Sequence, residues 1–198
     1  MNVHVLLFDL IAPVYSLFFK FQLKKYRKLV MMMQEQGHLE GVRTVMDFGF
    51  GTGALLKAFA EKGYQVHGVD ASSMMHRVAK RKLKNEEVTL YQEDLLEGCK
   101  RCKDDAYDLT LSSYVIHGLP LEKRKLFYKE IKRVTSSKVV FYEHSDKPSL
   151  GIRIAEMLEG GTYFSFIKTA RKELSAHFKD LETHAFSKRV TVFIGNPD

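Results

Sequence analysis

The chain has 198 residues, 45% of them hydrophobic, 12% aromatic and 28% charged, a balance that fits one globular domain and excludes a disordered or fibrous chain. Its 31 basic residues outnumber 24 acidic ones, for a net charge of +7. That permits nucleic acid, anionic lipid or acidic small molecules as partners, although runs such as Lys80-Arg81-Lys82 and Lys123-Arg124-Lys125 read as solvated helix faces.

Residues 1–40 read as helical, with Tyr26-Arg27-Lys28-Leu29-Val30-Met31-Met32-Met33 leading to Gly37. Phe18, Phe19 and Phe21 suit either a helix packed on a sheet or an apolar lid over a small-molecule site. Val3 to Phe21 is apolar, but Asp9, Pro13 and Lys20 interrupt it, so neither a membrane span nor a signal peptide is expected. Strands are expected at about 44–48, 65–70, 88–92, 108–113 and 138–143, with helices near 53–62, 73–84 and 121–134. Phe127, Ile131 and Val134 give the last of these helices a core-facing stripe. Strict alternation of strand and helix predicts a parallel sheet.

Cys99 and Cys102 fall in what reads as a polar loop between the third and fourth strands. Two ligands cannot complete a zinc site, so the pair reads as reduced surface thiols of a cytoplasmic protein, and no metal site is expected. After the fifth strand come a helical stretch near 150–158, a Gly160-Gly161 break and a helix near 168–178. Two final strands, near 181–187 and 189–195, are joined around Ser187-Lys188. So short a link cannot cross over, and the two must pair antiparallel.

The chemistry is concentrated in Val45-Met-Asp-Phe-Gly-Phe-Gly-Thr-Gly53, a strand that runs into a loop of alternate glycines and then a helix. Gly49, Gly51 and Gly53 let backbone approach a ligand where a side chain would collide. Asp70 lies 19 residues past Gly51, at the end of the second strand. An acid there commonly accepts hydrogen bonds from ribose hydroxyls, so a nucleoside cofactor is indicated. The glycine spacing also fits a dinucleotide, but Asp47 sits where it would repel a pyrophosphate. A cofactor with an amino group and a sulfonium suits that charge better.

Four ordered segments then carry a resemblance. Asp47-Phe-Gly49-Phe-Gly51-Thr-Gly53, Val66 to Asp70, Glu93-Asp94-Leu95 and Tyr107 to Ser113 resemble the successive motifs of class I S-adenosylmethionine-dependent methyltransferases. The opening Phe8-Asp9-Leu10-Ile11-Ala12-Pro13-Val14-Tyr15 is similar to that of the ubiquinone and menaquinone biosynthesis enzymes and their small-molecule relatives. The resemblance implies an α/β Rossmann-like fold with a seven-stranded, mostly parallel sheet, a C-terminal antiparallel hairpin and helices on both faces. It also implies one domain over 1–198, with 1–40 as an N-terminal helical lid and 41–198 as the cofactor-binding core.

The implied cofactor is S-adenosyl-L-methionine, leaving S-adenosyl-L-homocysteine as product. Its implied contacts are Tyr15, Asp47, Gly49, Gly51, Gly53, Asp70, Ala71, Asp94, Leu95 and Ser112. Asp70 would hold the ribose and Asp94 the adenine amino group, with Tyr15 near the methionine end. Methyl transfer is an in-line displacement that needs no metal, and a base is required only where the acceptor must lose a proton. His117 after the fourth strand, and Glu143 and His144 after the fifth, stand at the right end of the sheet for that task, His144 best placed by position. Tyr163, Phe164 and Phe166 are candidates for an acceptor-pocket wall or for plain core. The expected acceptor is a small aromatic or lipophilic molecule, nucleic acid is the less favoured partner, and the protein is read as a monomer or homodimer.

Overall fold

In the computed structural model, which describes residues 15–145 and 162–197 (backbone alone for 162–165), α1 spans Phe19–Glu35 and leads to β1, Thr44–Phe48. There follow α2 (Ala54–Ala60), β2 (Gln65–Asp70), α3 (Ser73–Lys82), β3 (Val88–Gln92), α4 (Leu95–Arg101) and β4 (Tyr107–Ser113). A single 3-10 turn at Ile116–Gly118 precedes α5 (Leu121–Val134) and β5 (Thr135–His144). The chain closes with α6 (Thr162–Ser175), β6 (Lys179–Ser187) and β7 (Val190–Asn196). The seven strands form one sheet in the order β3-β2-β1-β4-β5-β7-β6. β1 to β5 run parallel, β7 pairs antiparallel to β5, and β6 pairs antiparallel to β7 with Ser187 opposite Val190.

β1 is central because its residues are apolar on both faces. Val45 joins one core cluster, with α1 and α2, while Met46 and Phe48 join the other, with α5 and α6. Such two-sided burial is what a parallel sheet between helical layers demands. On α5, Phe127, Tyr128, Ile131 and Val134 are buried, and full burial of each such side chain contributes about 1.5–3 kcal/mol. Helix starts follow local chemistry: the Ser72 hydroxyl accepts from Met75 N at 3.0 Å and caps α3.

Several expectations change. Asp94 accepts from Leu96 N at 3.0 Å and opens α4, so the presumed loop between β3 and β4 is a helix with Cys99 inside the core. Cys99 is therefore no surface thiol; burial raises its pKa, and Cys102 is half-buried. Arg124 is not solvated either. Its guanidinium meets the Glu173 carboxylate at 3.0 Å and lies over Phe166, tying α5 to α6. In α1, Leu23, Tyr26, Leu29, Val30 and Met33 pack as core with Phe19, whereas Phe18 and Phe21 are exposed. The helix expected near 168–178 begins at Thr162 and ends at Ser175. Residues Phe8 to Val14 and the stretch near 150–158 lie outside the described residues, as do the side chains of Tyr163 and Phe164. Phe166 is core. No described helix is long and apolar enough to cross a membrane.

Candidate active site

The glycine loop leaves β1 at its carboxyl end, and its conformation is set by position. Gly49, Gly51 and Gly53 all have positive φ, at 91°, 52° and 79°. A Cβ on Gly49 would stand 2.4 Å from the Val115 side chain, so this glycine is needed for packing. A Cβ on Gly51 would meet nothing within 4 Å. The open side of Gly51 is the face a ligand can approach.

Asp70 fixes that loop. Its carboxylate accepts from Gly51 N and Ser72 N, each at 2.8 Å. Ionised carboxylate oxygens offer about four acceptor positions, and an acid at this strand end is placed where such sheets bind ribose hydroxyls. From the other side, Thr52 Oγ1 donates to Gln22 Oε1 at 2.9 Å and binds the loop to α1.

Asp47 lies behind the loop in a different state. It is wholly buried, and neither carboxylate oxygen has a hydrogen-bond partner among the described residues. Burial, then the nearby charge of Asp70, pushes its pKa well above the usual carboxylate range. A buried carboxylate without a partner is costly, so a cationic ligand would stabilise its charged form. The donor set thus fits a cofactor with a positive end and a ribose.

The carboxyl ends of β4 and β5 hold a second group of side chains. Glu143 is fully buried; its Oε1 accepts from Val115 N at 3.1 Å and Ile116 N at 3.0 Å, and its Oε2 lies 2.6 Å from His117 Nδ1. In the tautomer that donates from Nδ1 to this carboxylate, the lone pair of the neutral ring is on Nε2. His144 packs against Tyr114, ring centroids 4.3 Å apart, and against His117 at 5.6 Å. Burial, then the neighbouring His117, pushes the His144 pKa down to about 4. It is a neutral ring at pH 7. Tyr26 from α1 reaches this end, its hydroxyl 2.7 Å from Ser113 Oγ. Tyr114 itself has φ 56°, a left-handed backbone that costs a bulky residue about 1–2 kcal/mol.

The remaining sequence candidates are dispersed in role. Ser112 is buried and donates to Phe48 O at 3.1 Å, bracing β4 on β1. Asp94, besides capping α4, pairs with Lys123 Nζ at 2.7 Å, and Leu95 beside it is buried. Ala71 follows Asp70 at the strand end and is half-buried. Tyr15 is 41% exposed at the edge of the described segment. The sequence reading named Glu143 as a base but missed the contributions of Gln22, Tyr26 and Tyr114; the aromatic content of α1 was the available signal.

With this geometry in hand, comparisons with known proteins are informative. Residues 45–138 match the family model described as a methyltransferase domain. No curated protein sequence matches the chain significantly. Among solved structures, the chain is similar to a presumed O-methyltransferase from Nostoc punctiforme PCC 73102, at 17% identity and a TM-score of 0.71, over 92% of this chain and 60% of that one. It is similar to the PH0226 protein from Pyrococcus horikoshii OT3 at 19% identity and a TM-score of 0.67, over 87% of this chain and 91% of that one. A third similar structure, magnesium protoporphyrin IX methyltransferase from Synechocystis PCC 6803 with bound S-adenosylmethionine, shares 18% identity at a TM-score of 0.60, over 87% of this chain and 77% of that one. Residues 45–138 are a methyltransferase domain, and the described architecture is the class I S-adenosylmethionine-dependent methyltransferase fold.

Two stability outcomes follow from the loop. Gly49→Ala should unfold at markedly lower denaturant concentration, because the methyl strikes Val115 at 2.4 Å. Gly51→Ala should lose only about 1–2 kcal/mol, the cost of a left-handed residue; equal losses in urea melts would refute the contrast. Asp47→Asn should raise the melting temperature of the ligand-free protein. The folded pKa of Asp47 is raised, so its contribution is intact at low pH and is lost as pH rises through that value. The gain of the asparagine variant should therefore grow from pH 4 toward neutrality, by roughly 2–4 °C for each kcal/mol regained. A pH-independent difference between the two proteins would contradict it.

Proposed function

We propose that this methyltransferase acts on a small aromatic or lipophilic acceptor by in-line methyl transfer to oxygen, nitrogen or carbon. The observation that carries the reading is the unpartnered, buried Asp47 carboxylate behind the open face of Gly51. The methyl donor is S-adenosyl-L-methionine, whose sulfonium supplies an activated methyl group and leaves S-adenosyl-L-homocysteine. Asp47 would face the donor's positive end, and Asp70 would accept its ribose hydroxyls while holding Gly51 N. Asp94 and Leu95 would border the adenine; Tyr15, Gly49, Gly53, Ala71 and Ser112 complete the proposed surroundings.

For acceptors that lose a proton, His117 is the better base than His144. Glu143 fixes its tautomer and ring orientation, whereas His144 is neutral and buried, better suited to wall the pocket. Tyr114 and the two imidazoles would make that wall aromatic, which supports a flat or apolar acceptor. The Synechocystis neighbour is named for a porphyrin acceptor, one example of such a molecule.

A nucleic-acid acceptor is the second reading, motivated by the charge of +7. Against it, many basic groups are engaged by acids: Arg27 by Glu61, Lys123 by Asp94, Arg124 by Glu173 and Arg133 by Asp104. The two free thiols agree with a cytoplasmic location, and the protein is read as a monomer or homodimer.

The test is calorimetric titration with S-adenosylmethionine, S-adenosylhomocysteine and NAD, followed by an acceptor panel. Binding of the first two alone is expected, with at least about tenfold loss in Asp70→Ala, the worth of one charge-assisted hydrogen bond. Binding of NAD instead would overturn the reading. With an accepted substrate, His117→Gln should lower kcat and remove the acidic limb of the pH profile, while His144→Gln should mainly raise KM. Salt-steep RNA binding with methyl incorporation would transfer the case to nucleic acid.

A further inference from the structure

His38, Glu182 and His184 meet at the β6 edge of the sheet, in a cluster that methyl transfer does not use. His38 lies in the turn that leaves α1. Glu182 and His184 stand two residues apart on β6, hence on one face of it. The Nε2 atoms of His38 and His184 lie 3.6 and 3.3 Å from Glu182 Oε2. One ligand atom from each of the three residues lies within 4.8 Å of the others.

Two features set this group apart from an ordinary histidine–acid pair. His38 is only 7% exposed, yet its Nε2 has no hydrogen-bond partner among the described residues, and neither has the buried Nε2 of His184. Both distances exceed the 2.7–3.2 Å of a good N–H···O bond. They match the separation of neighbouring ligands on a tetrahedral cation, about 3.3–3.6 Å for bonds of about 2.0–2.2 Å. A modest rotation of the His184 ring, on an edge strand, would close the third side.

We propose that His38, Glu182 and His184 bind a divalent transition metal, zinc foremost, with water in the fourth position. Two imidazoles and one carboxylate suit zinc and its neighbours, whereas magnesium and calcium prefer oxygen ligands. Glu182 is half exposed and gives the ion an entry path. The bound ion would clasp the exit of α1 to the terminal hairpin. That helix also holds the glycine loop through Gln22 and the acceptor end through Tyr26, so the clasp would brace both walls of the active site.

The test uses the untagged, chelator-stripped full chain, titrated with zinc by calorimetry and with cobalt by absorption spectroscopy. One equivalent of each should bind, cobalt giving tetrahedral bands, while magnesium should not bind. Saturating zinc should raise the melting temperature by several degrees. His184→Ala and the near-isosteric Glu182→Gln should each weaken zinc binding at least about tenfold, since even partners of metal ligands change affinity about 10- to 100-fold. Cys102→Ser should bind as the parent does. Absence of stoichiometric uptake, unchanged affinity in Glu182→Gln, or loss of binding in Cys102→Ser would each overturn the proposal.

Discussion

The Asp70 carboxylate joins the ends of two neighbouring strands through one side chain. By accepting from Gly51 N and Ser72 N it sets the turn after β1 and the turn after β2 together. Both turns are short, and the backbone bonds of Gly49 N and Phe50 N to Val69 O tie the first of them to β2 as well. A carboxylate that accepts two backbone N–H groups is strongly ordered, so the loop is preformed before a ligand arrives. Preforming it lowers the ordering cost of binding.

Asp47 shows the opposite economy. The protein buries it without a partner, and the cost falls on the ligand-free state. The nearby charge of Asp70 adds to burial in disfavouring charge on Asp47. A cationic group entering the cleft relieves both terms at once. On the proposed function, selectivity for a sulfonium over a pyrophosphate would rest on this buried, unpartnered carboxyl.

The fold was legible because its signals are local. Val45 on one face of the strand and Met46 and Phe48 on the other are apolar, as a doubly covered strand must be, and the Ser187-Lys188 link is too short for anything but a hairpin. The glycine loop and Asp70 were readable for the same reason, since their roles follow from backbone geometry. What escaped was set by contacts distant in sequence. The helix that Asp94 opens went unread because its seven residues give little periodicity, and with that helix unseen Cys99 was placed at the surface. Arg124 read as solvated because its partner, Glu173, lies on a helix far along the chain. Position favoured His144 over His117; the Glu143 carboxylate on His117 and the burial of His144 reverse that order.

The placement of α1 explains why the two halves of the reaction site belong together. One face of this helix is core, and its buried side chains anchor it firmly to the sheet. From that anchored body Gln22 reaches Thr52 in the donor loop, and Tyr26, one turn further on, reaches Ser113 beside the strained Tyr114. One helix therefore touches the glycine loop and the end of β4 at a spacing fixed by the helical rise, the donor and acceptor sides of the proposed reaction. In-line displacement depends on that spacing more than on any acid or base, because alignment of donor and acceptor alone supplies several kcal/mol toward the barrier. Movement of α1 by even an ångström would disturb both contacts together. On the proposed function, this buried helix would be the ruler against which the donor and acceptor ends are set.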